Sequence, residues 1–365
     1  MIKSIKINNM KMFQNFSMTL PEGVSVIQGS NGCGKSALIE LIYALTQLLA
    51  MPSSSDRLAA SVDTVFPLKL LTRWMIQKQG FADAALEMEI CSNEGKRPQV
   101  FKYELTVRYD FSTGKCRIEN EILSLNSDRL VYFHVGTLEI VTDDNKTIKF
   151  NSDWNLSGVV TASRNNSKIR EFGDLITKIF CLHLAPSAIK YSFERTEQSL
   201  NIDGSNFPAW RSYYASSHAE NLSNIFEKCK YVIPGLISIN DIKRGESQNL
   251  SIRVRYEKKD YDFSFDELSD GQRAVIILYS LLENVPSEAV LFIDEPENYL
   301  APSELQPWLN AINDIWEEKD IQVIVASHNM KTHAWYNDNL ITFAVSGNPP
   351  RVELRTPPEF DEEAL

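Results

Sequence analysis

Polar and apolar positions interleave from Ile2 to Asn8, as a half-buried strand requires, and a second apolar segment, Val24–Gln28, runs into a glycine-rich turn. The apolar stretch that begins near Ala37 predicts a helix directly after that turn. From Leu86 to Leu125 the alternation returns, with Phe101, Tyr103, Leu105, Val107 and Tyr109 on one face, and predicts a β-rich lobe of antiparallel strands. Between about Lys168 and Tyr231 the spacing lengthens toward helical period, through Phe172, Leu175, Ile176, Ile179 and Phe180 and then Leu222, Ile225 and Phe226. This region reads as a mostly helical insert. Alternation resumes from Leu250 to Phe265. The remaining order is helix Gly271–Glu283, strand Ala289–Ile293, helix Pro302–Glu317, strand Ile321–Ala326 and strand Leu340–Val345. Strands alternating with helices imply an α/β protein with a mainly parallel sheet. The expected organisation is an N-terminal lobe over 1–165, the insert over 166–235 and a C-terminal lobe over 236–365. There is no internal repeat, and Pro52-Ser53-Ser54-Ser55-Asp56 reads as a loop after the first helix.

Composition narrows the class. A chain of 365 residues, 43% of them hydrophobic, is long enough to bury one large core or two ordinary ones. Its net charge of −11, from 48 acidic and 37 basic residues, argues against a surface that is basic all over and coats nucleic acid unaided, and leaves room for a local basic groove. The N-terminal alternation lacks the unbroken apolar run of a secretion signal, and Ala37–Met51 falls short of the ~20 residues needed to span a bilayer. A cytoplasmic protein with no membrane association is therefore expected. The five cysteines, Cys33, Cys91, Cys116, Cys181 and Cys229, are scattered and odd in number, so neither a disulfide framework nor a zinc site is indicated.

The candidate chemistry begins at the glycine-rich turn. Gly29-Ser30-Asn31-Gly32-Cys33-Gly34-Lys35-Ser36 satisfies the P-loop pattern and stands between a predicted strand and a predicted helix. Its glycines let backbone N–H groups turn inward onto phosphate oxygens, and the following helix, entered at Ala37, adds its positive end. Lys35 is expected to reach the β- and γ-phosphates of ATP, and the Ser36 hydroxyl to join the Mg²⁺ shell. Much later, Ala289-Val290-Leu291-Phe292-Ile293 reads as a buried strand that ends in two adjacent carboxylates. Asp294 is placed to bind Mg²⁺, directly or through water, and Glu295 to orient or deprotonate the attacking water. Either motif alone has a bland reading, a glycine turn or a solvated acidic turn. Their co-occurrence in one chain favours nucleotide chemistry.

Two further stretches carry a resemblance. Leu268-Ser269-Asp270-Gly271-Gln272-Arg273 resembles the signature motif of ABC ATPases, with Asp270 where that family usually has glycine, and Ser327-His328 resembles its switch histidine. The order P-loop, signature, Asp-Glu pair and histidine, with the first far from the rest, is similar to the layout of ABC heads in the SMC and RecF group. The segment from Leu200 to Trp210, LNIDGSNFPAW, is similar to one in compact ATPases of this group that are often encoded in bacterial anti-phage or overcoming-lysogenisation-type systems. The resemblance implies a P-loop NTPase fold, an ABC-type head with an antiparallel β lobe, a helical insert and no long coiled coil. It implies ATP and Mg²⁺ as cofactors and ATP hydrolysis, with Lys35, Glu295 and His328 as the catalytic set. It also implies that Ser269, Asp270, Gly271 and Gln272 act in trans on nucleotide held by a second copy, within a homodimer or larger homo-oligomer, and that Glu297–Pro302 is a D-loop at the seam. Asp270 then has to point away from phosphate or pair with a cation. Gln99 and Gln198 read as surface residues, and no Q-loop glutamine is assigned. Cys33 occupies a variable P-loop position.

Two functions fit such a head. One is an ATPase that senses a trigger and controls a separately encoded effector, such as a nuclease or toxin, in anti-phage defence. The other is a RecF-like protein that binds DNA when ATP closes the dimer, with Arg253, Arg255, Lys258 and Lys259 as candidate phosphate contacts. A transporter ATPase fits less well. The stretch after His328 is too short for a TOPRIM nuclease, and Ser327-His328-Asn329 with His333 does not make an HNH pattern. Trp210, Tyr213 and Tyr214 read as packing aromatics rather than a base-stacking platform. Glu359, Asp361, Glu362 and Glu363 read as a frayed acidic tail.

Overall fold

The alternating segments near the N-terminus pair into one sheet in the computed structural model, which describes residues 1–51, 59–92, 98–217, 219–329, 332, 336 and 339–355. The loop Pro52–Asp56, His333 and the acidic run Glu359–Glu363 lie outside the described residues. Contacts divide the chain into two compact units, Met1–Ile179 with His333–Leu365 and Phe180–Thr332.

The first unit contains strands β1 (Ile2–Asn8), β2 (Phe16–Thr19), β3 (Val24–Gln28), β4 (Phe81–Ser92), β5 (Gln99–Asp110), β6 (Lys115–Leu125), β7 (Asp128–His134), β8 (Thr137–Val141) and β9 (Thr147–Asn151). Its helices are α1 (Lys35–Leu49), α2 (Val62–Val65), α3 (Gly158–Ala162) and α4 (Ser167–Thr177). An eight-stranded antiparallel sheet runs in the order β2-β1-β4-β5-β6-β7-β8-β9. The predicted β lobe is thus present and larger than the alternation alone indicated, because β2 and β7–β9 are short. Phe101, Tyr103, Leu105, Val107 and Tyr109 share its buried face. Phe172 of α4 closes over them, with ring centroids 5.7 Å from Phe101 and 5.9 Å from Tyr103.

A register shift in β6 sets one polar residue into this core. Thr106 faces Asn120 while Val107 faces Ile118, so Glu119 is an extra residue and the face parity changes beyond it. Cys116 and Ile118 point inward before the bulge, and Glu121 and Leu123 after it. Glu121 is fully buried and accepts hydrogen bonds from Tyr103 Oη at 2.8 Å, Ser157 Oγ at 2.6 Å and Gly158 N at 2.6 Å.

The second unit holds β10 (Ile179–Leu182, entered from the last residue of the first), β11 (Ser192–Phe193), α5 (Phe207–Ser217), α6 (Ala219–Lys230), β12 (Leu236–Arg244), β13 (Ser247–Tyr256), β14 (Lys259–Ser264), α7 (Asp270–Asn284), β15 (Val290–Asp294), α8 (Pro302–Lys319) and β16 (Gln322–Ala326). β15 and β16 are parallel, every residue of both is buried, and β10 lies on the other side of β15. Such double-sided burial is why these strands read as continuous apolar runs. The helical insert is present, with one correction: Ile179 and Phe180, taken as helical positions, belong to β10. The helix ends at Thr177, and Ile179–Leu182 is a four-residue run buried throughout. Periodicity cannot separate so short an apolar run from a helix segment.

The insert aromatics pack. Trp210 is fully buried against Tyr214 at 4.9 Å, and Phe207 lies 5.4 Å from Phe265. β14 pairs with β13, and their facing side chains form ion pairs, Arg253 with Asp262 and Arg255 with Asp260, each at 2.6 Å. The chain closes in the first unit with β17 (Leu340–Ser346), parallel to β3, and β18 (Arg351–Arg355), antiparallel to β17.

Candidate functional site

The P-loop grows out of a strand with no exposed residue. All five residues of β3 are buried, and the last, Gln28, donates from Nε2 to Thr342 Oγ1 of the neighbouring β17 at 2.8 Å. The turn then needs glycine: φ is +153° at Gly29, +77° at Gly32 and +103° at Gly34. At Gly29 the constraint is also steric, since a Cβ there would sit 2.4 Å from the Phe343 carbonyl oxygen and 2.5 Å from Cys33 Sγ. Gly34 caps α1, whose first turn carries no acidic residue, so the positive end of a 15-residue helix is left uncompensated. Lys35 is folded back over its own loop, with Nζ donating to Gly29 O at 2.9 Å and lying 4.0 Å from the buried Cys33 sulfur. Ser30, Asn31, Gly32 and Ser36 are exposed, and Ala37 is half-buried. A helix N-terminus and an ammonium group together favour an anion here, with a hydroxyl at the edge.

The carboxylates belong to the second unit. Asp294 ends β15 with its side chain fully buried, and its Oδ2 lies 2.7 Å from His183 Nδ1. Its other oxygen, Oδ1, is buried and makes no hydrogen bond. A buried carboxylate oxygen without a partner is costly, and a hard cation is the ligand that would satisfy it. The residues therefore fit Mg²⁺, which takes one or two protein oxygens and completes its shell from phosphate and water. Asp294 Oδ1 is one such donor.

Glu295 follows in a left-handed conformation, φ +46° and ψ +52°, which is sparsely populated for a non-glycine residue. One carboxylate oxygen lies 2.8 Å from His328 Nε2, and the other accepts from Asn298 Nδ2 at 3.0 Å. Glu297 holds the loop that carries the histidine, accepting from Ser327 Oγ at 2.6 Å and from His328 N at 2.8 Å. Glu295, the segment after it and His328 thus form one connected cluster beyond β15 and β16.

The signature stretch opens α7. Ser269 accepts from Gln272 N at 3.3 Å, and Gln272 Oε1 accepts from Ser269 N at 3.1 Å, a reciprocal capping box. Asp270 pairs with Arg273, three residues on. Arg273 also donates to Pro186 O at 2.6 Å. At Gly271 a Cβ would approach Tyr299 O to 3.2 Å, and the Tyr299 hydroxyl donates to Leu184 O at 3.1 Å. Gln99 accepts from Lys168 and Gln198 donates to Tyr213.

His183 is the residue the sequence reading did not find. It stands just past β10, and only the pairing of β10 beside β15 brings it to Asp294. The backbone behind it is strapped to the LNIDGSN segment, with His183 N donating to Ile202 O at 2.7 Å, Ala185 N to Asp203 O at 3.1 Å and Lys190 N to Ser205 O at 3.0 Å. The cluster of turn-forming residues in that segment was the available signal.

A protein-family model described as "AAA domain, putative AbiEii toxin, Type IV TA system" matches residues 24–332. The energy-coupling factor transporter ATP-binding protein EcfA2 of Caldanaerobacter subterraneus subsp. tengcongensis is 32% identical over 129 residues, which is 35% of this chain and 43% of that protein. The chain thus spans less than half the length of that curated relative. An SMC head crystallised with the C-winged helix domain of ScpA aligns over 100% of this chain and 99% of its own, with a TM-score of 0.51 and 13% identity. The SMC head domain from Thermotoga maritima aligns over 97% and 99%, with a TM-score of 0.43 and 13% identity. At such identity the first of these establishes a shared fold, that of an SMC-type ABC ATPase head.

Proposed function

The chain belongs to the AAA-domain family whose model spans its residues 24–332, and on that premise we propose that it hydrolyses ATP at a Mg²⁺-dependent site completed by a second copy of itself. The observation that carries this reading is the buried, unpartnered Oδ1 of Asp294 beside a Glu295 held by His328. In this account the amides from Gly29 to Ala37 and the Lys35 ammonium hold the triphosphate, which requires Lys35 to leave the Gly29 carbonyl. Ser36 and Asp294 would hold Mg²⁺, which would supply charge neutralisation to the triphosphate. Glu295 accepts a proton from the water that attacks the γ-phosphorus, as the bond to the β–γ bridging oxygen breaks and ADP leaves with its electron pair. His328 exchanges its contact with Glu295 for the γ-phosphate. Ser269, Asp270, Gly271 and Gln272 serve the nucleotide of the partner copy, with the Asp270 charge offset by Arg273.

The output follows from closure and release of the dimer. The family description names a toxin and a type IV toxin–antitoxin system, which supports control of a separately encoded effector in anti-phage defence. The RecF-like alternative has less support, because Arg253 and Arg255 are engaged by Asp262 and Asp260 rather than presented to phosphates. Among the described residues no helix is long and apolar enough to cross a membrane.

Nucleotide titration together with phosphate release separates the roles. Glu295→Gln should bind ATP within about 3-fold of the unmodified protein while turnover falls by about 100-fold or more. Lys35→Ala should weaken ATP binding itself by about 10-fold or more, the loss of a charge-assisted contact. Equal loss of affinity in both variants would contradict the assignment.

A further inference from the structure

The contact between His183 and Asp294 is unusual in its burial. The aspartate side chain is 0% exposed and the histidine 57% exposed, so a half-solvated ring reaches a fully buried carboxylate at 2.7 Å. A carboxylate only accepts, so Nδ1 carries the proton and donates to Oδ2. That single bond fixes the carboxylate plane and leaves Oδ1 as the free oxygen. The histidine is itself held from behind. His183 N donates to Ile202 O, the Leu184 carbonyl accepts from the Tyr299 hydroxyl and the Pro186 carbonyl from Arg273. The stretch His183–Pro186 therefore touches the metal-type aspartate, the segment beyond Glu295 and the signature helix, and the LNIDGSN segment serves as its brace.

We propose that His183 is a positioning residue that orients Asp294 for the nucleotide-bound divalent cation, and that His183–Pro186, braced by the LNIDGSN segment, is the strut that holds it. The proposal rests on the ATPase reading above. Carboxylates that ligate metals are themselves held by hydrogen bonds, and loss of such an outer partner costs about 10- to 100-fold in metal affinity. Asn is the conservative replacement, because its side-chain N–H₂ can donate from a position close to that of the imidazole Nδ1–H.

The test uses the full chain and the non-hydrolysable analogue AMP-PNP, with its affinity measured by calorimetry in Mn²⁺ and again in EDTA. The ratio of the two affinities reports the metal contribution without reference to turnover. His183→Ala should reduce that ratio by about 10-fold or more and leave the EDTA affinity unchanged, while His183→Asn restores the ratio to within about 3-fold. A ratio unchanged in His183→Ala overturns the proposal, as does a His183→Asn variant that fails equally. The underlying reading is tested separately by Asp294→Asn, which should abolish the metal-dependent gain. If the unmodified protein shows no such gain, or Asp294→Asn retains it, the ATPase reading fails first and the role of His183 with it.

Discussion

Gly29 admits no side chain. Its φ is one that L-residues rarely adopt, and a methyl group would overlap the backbone oxygen of Phe343, which belongs to a strand and cannot move aside as a flexible side chain could. Gly29→Ala should therefore destabilise the fold by at least ~2 kcal/mol, seen as a lowered denaturant midpoint without nucleotide. An unchanged midpoint would mean that the turn relaxes and that its glycine serves ligand approach alone. At this scale the sequence was most informative. The glycine turn between β3 and α1, the strand that ends at Asp294 and the helix that opens after Ser269 were all legible because each pattern is local, its spacing readable within a few residues of chain. The capping box at Ser269 was equally local. The pairing of Asp270 with Arg273 is a contact three residues apart on one helix, and it could be anticipated as a need though not as a specific partner. His183 was illegible for the opposite reason: its partner lies in another strand.

Elements were legible where their alternation ran long, or where turn signals bounded a wholly apolar run, as at β3, β15 and β16. β4, β5 and β6 alternate over many residues and pair in register, apart from the bulge in β6. β10 was misread because four consecutive buried residues directly after a helix continue its apolar stripe. That error hid His183, since reading Ile179–Leu182 as helix removes the strand end on which it stands. The bulge is the second feature that pattern alone could not give, and it buries Glu121. Burial pushes the Glu121 carboxyl above the ordinary carboxylate range, against the bonds from Ser157, Tyr103 and Gly158 that favour the ionised form. The folded state then holds the proton more tightly than the unfolded chain does. The stability this group contributes is complete below the unfolded value of about 4.3 and is lost as pH rises through the raised folded value. Glu121→Gln carries a neutral group at every pH, so its stability relative to the unmodified protein should improve from pH 4 to pH 8. Parallel stability curves for the two proteins over that range would contradict the raised value.

The whole molecule combines an antiparallel lobe with buried parallel strands, and both were expected from the sequence, as was the SMC-type head they form. Charge at this scale was only half legible. The run Arg253, Arg255, Lys258, Lys259 read as a possible phosphate surface, and the arginines turn out to be matched by acids on the adjacent strand, because register decides which charges meet. The proposed action of Ser269–Gln272 in trans demands a second copy. The most direct test is the molar mass of Glu295→Gln by light scattering, with and without Mg²⁺-ATP, since loss of the proton acceptor should trap the closed state. The account expects the mass of one chain without nucleotide and of two chains with it. The mass of a single chain under both conditions, at ATP concentrations that saturate binding, would contradict it.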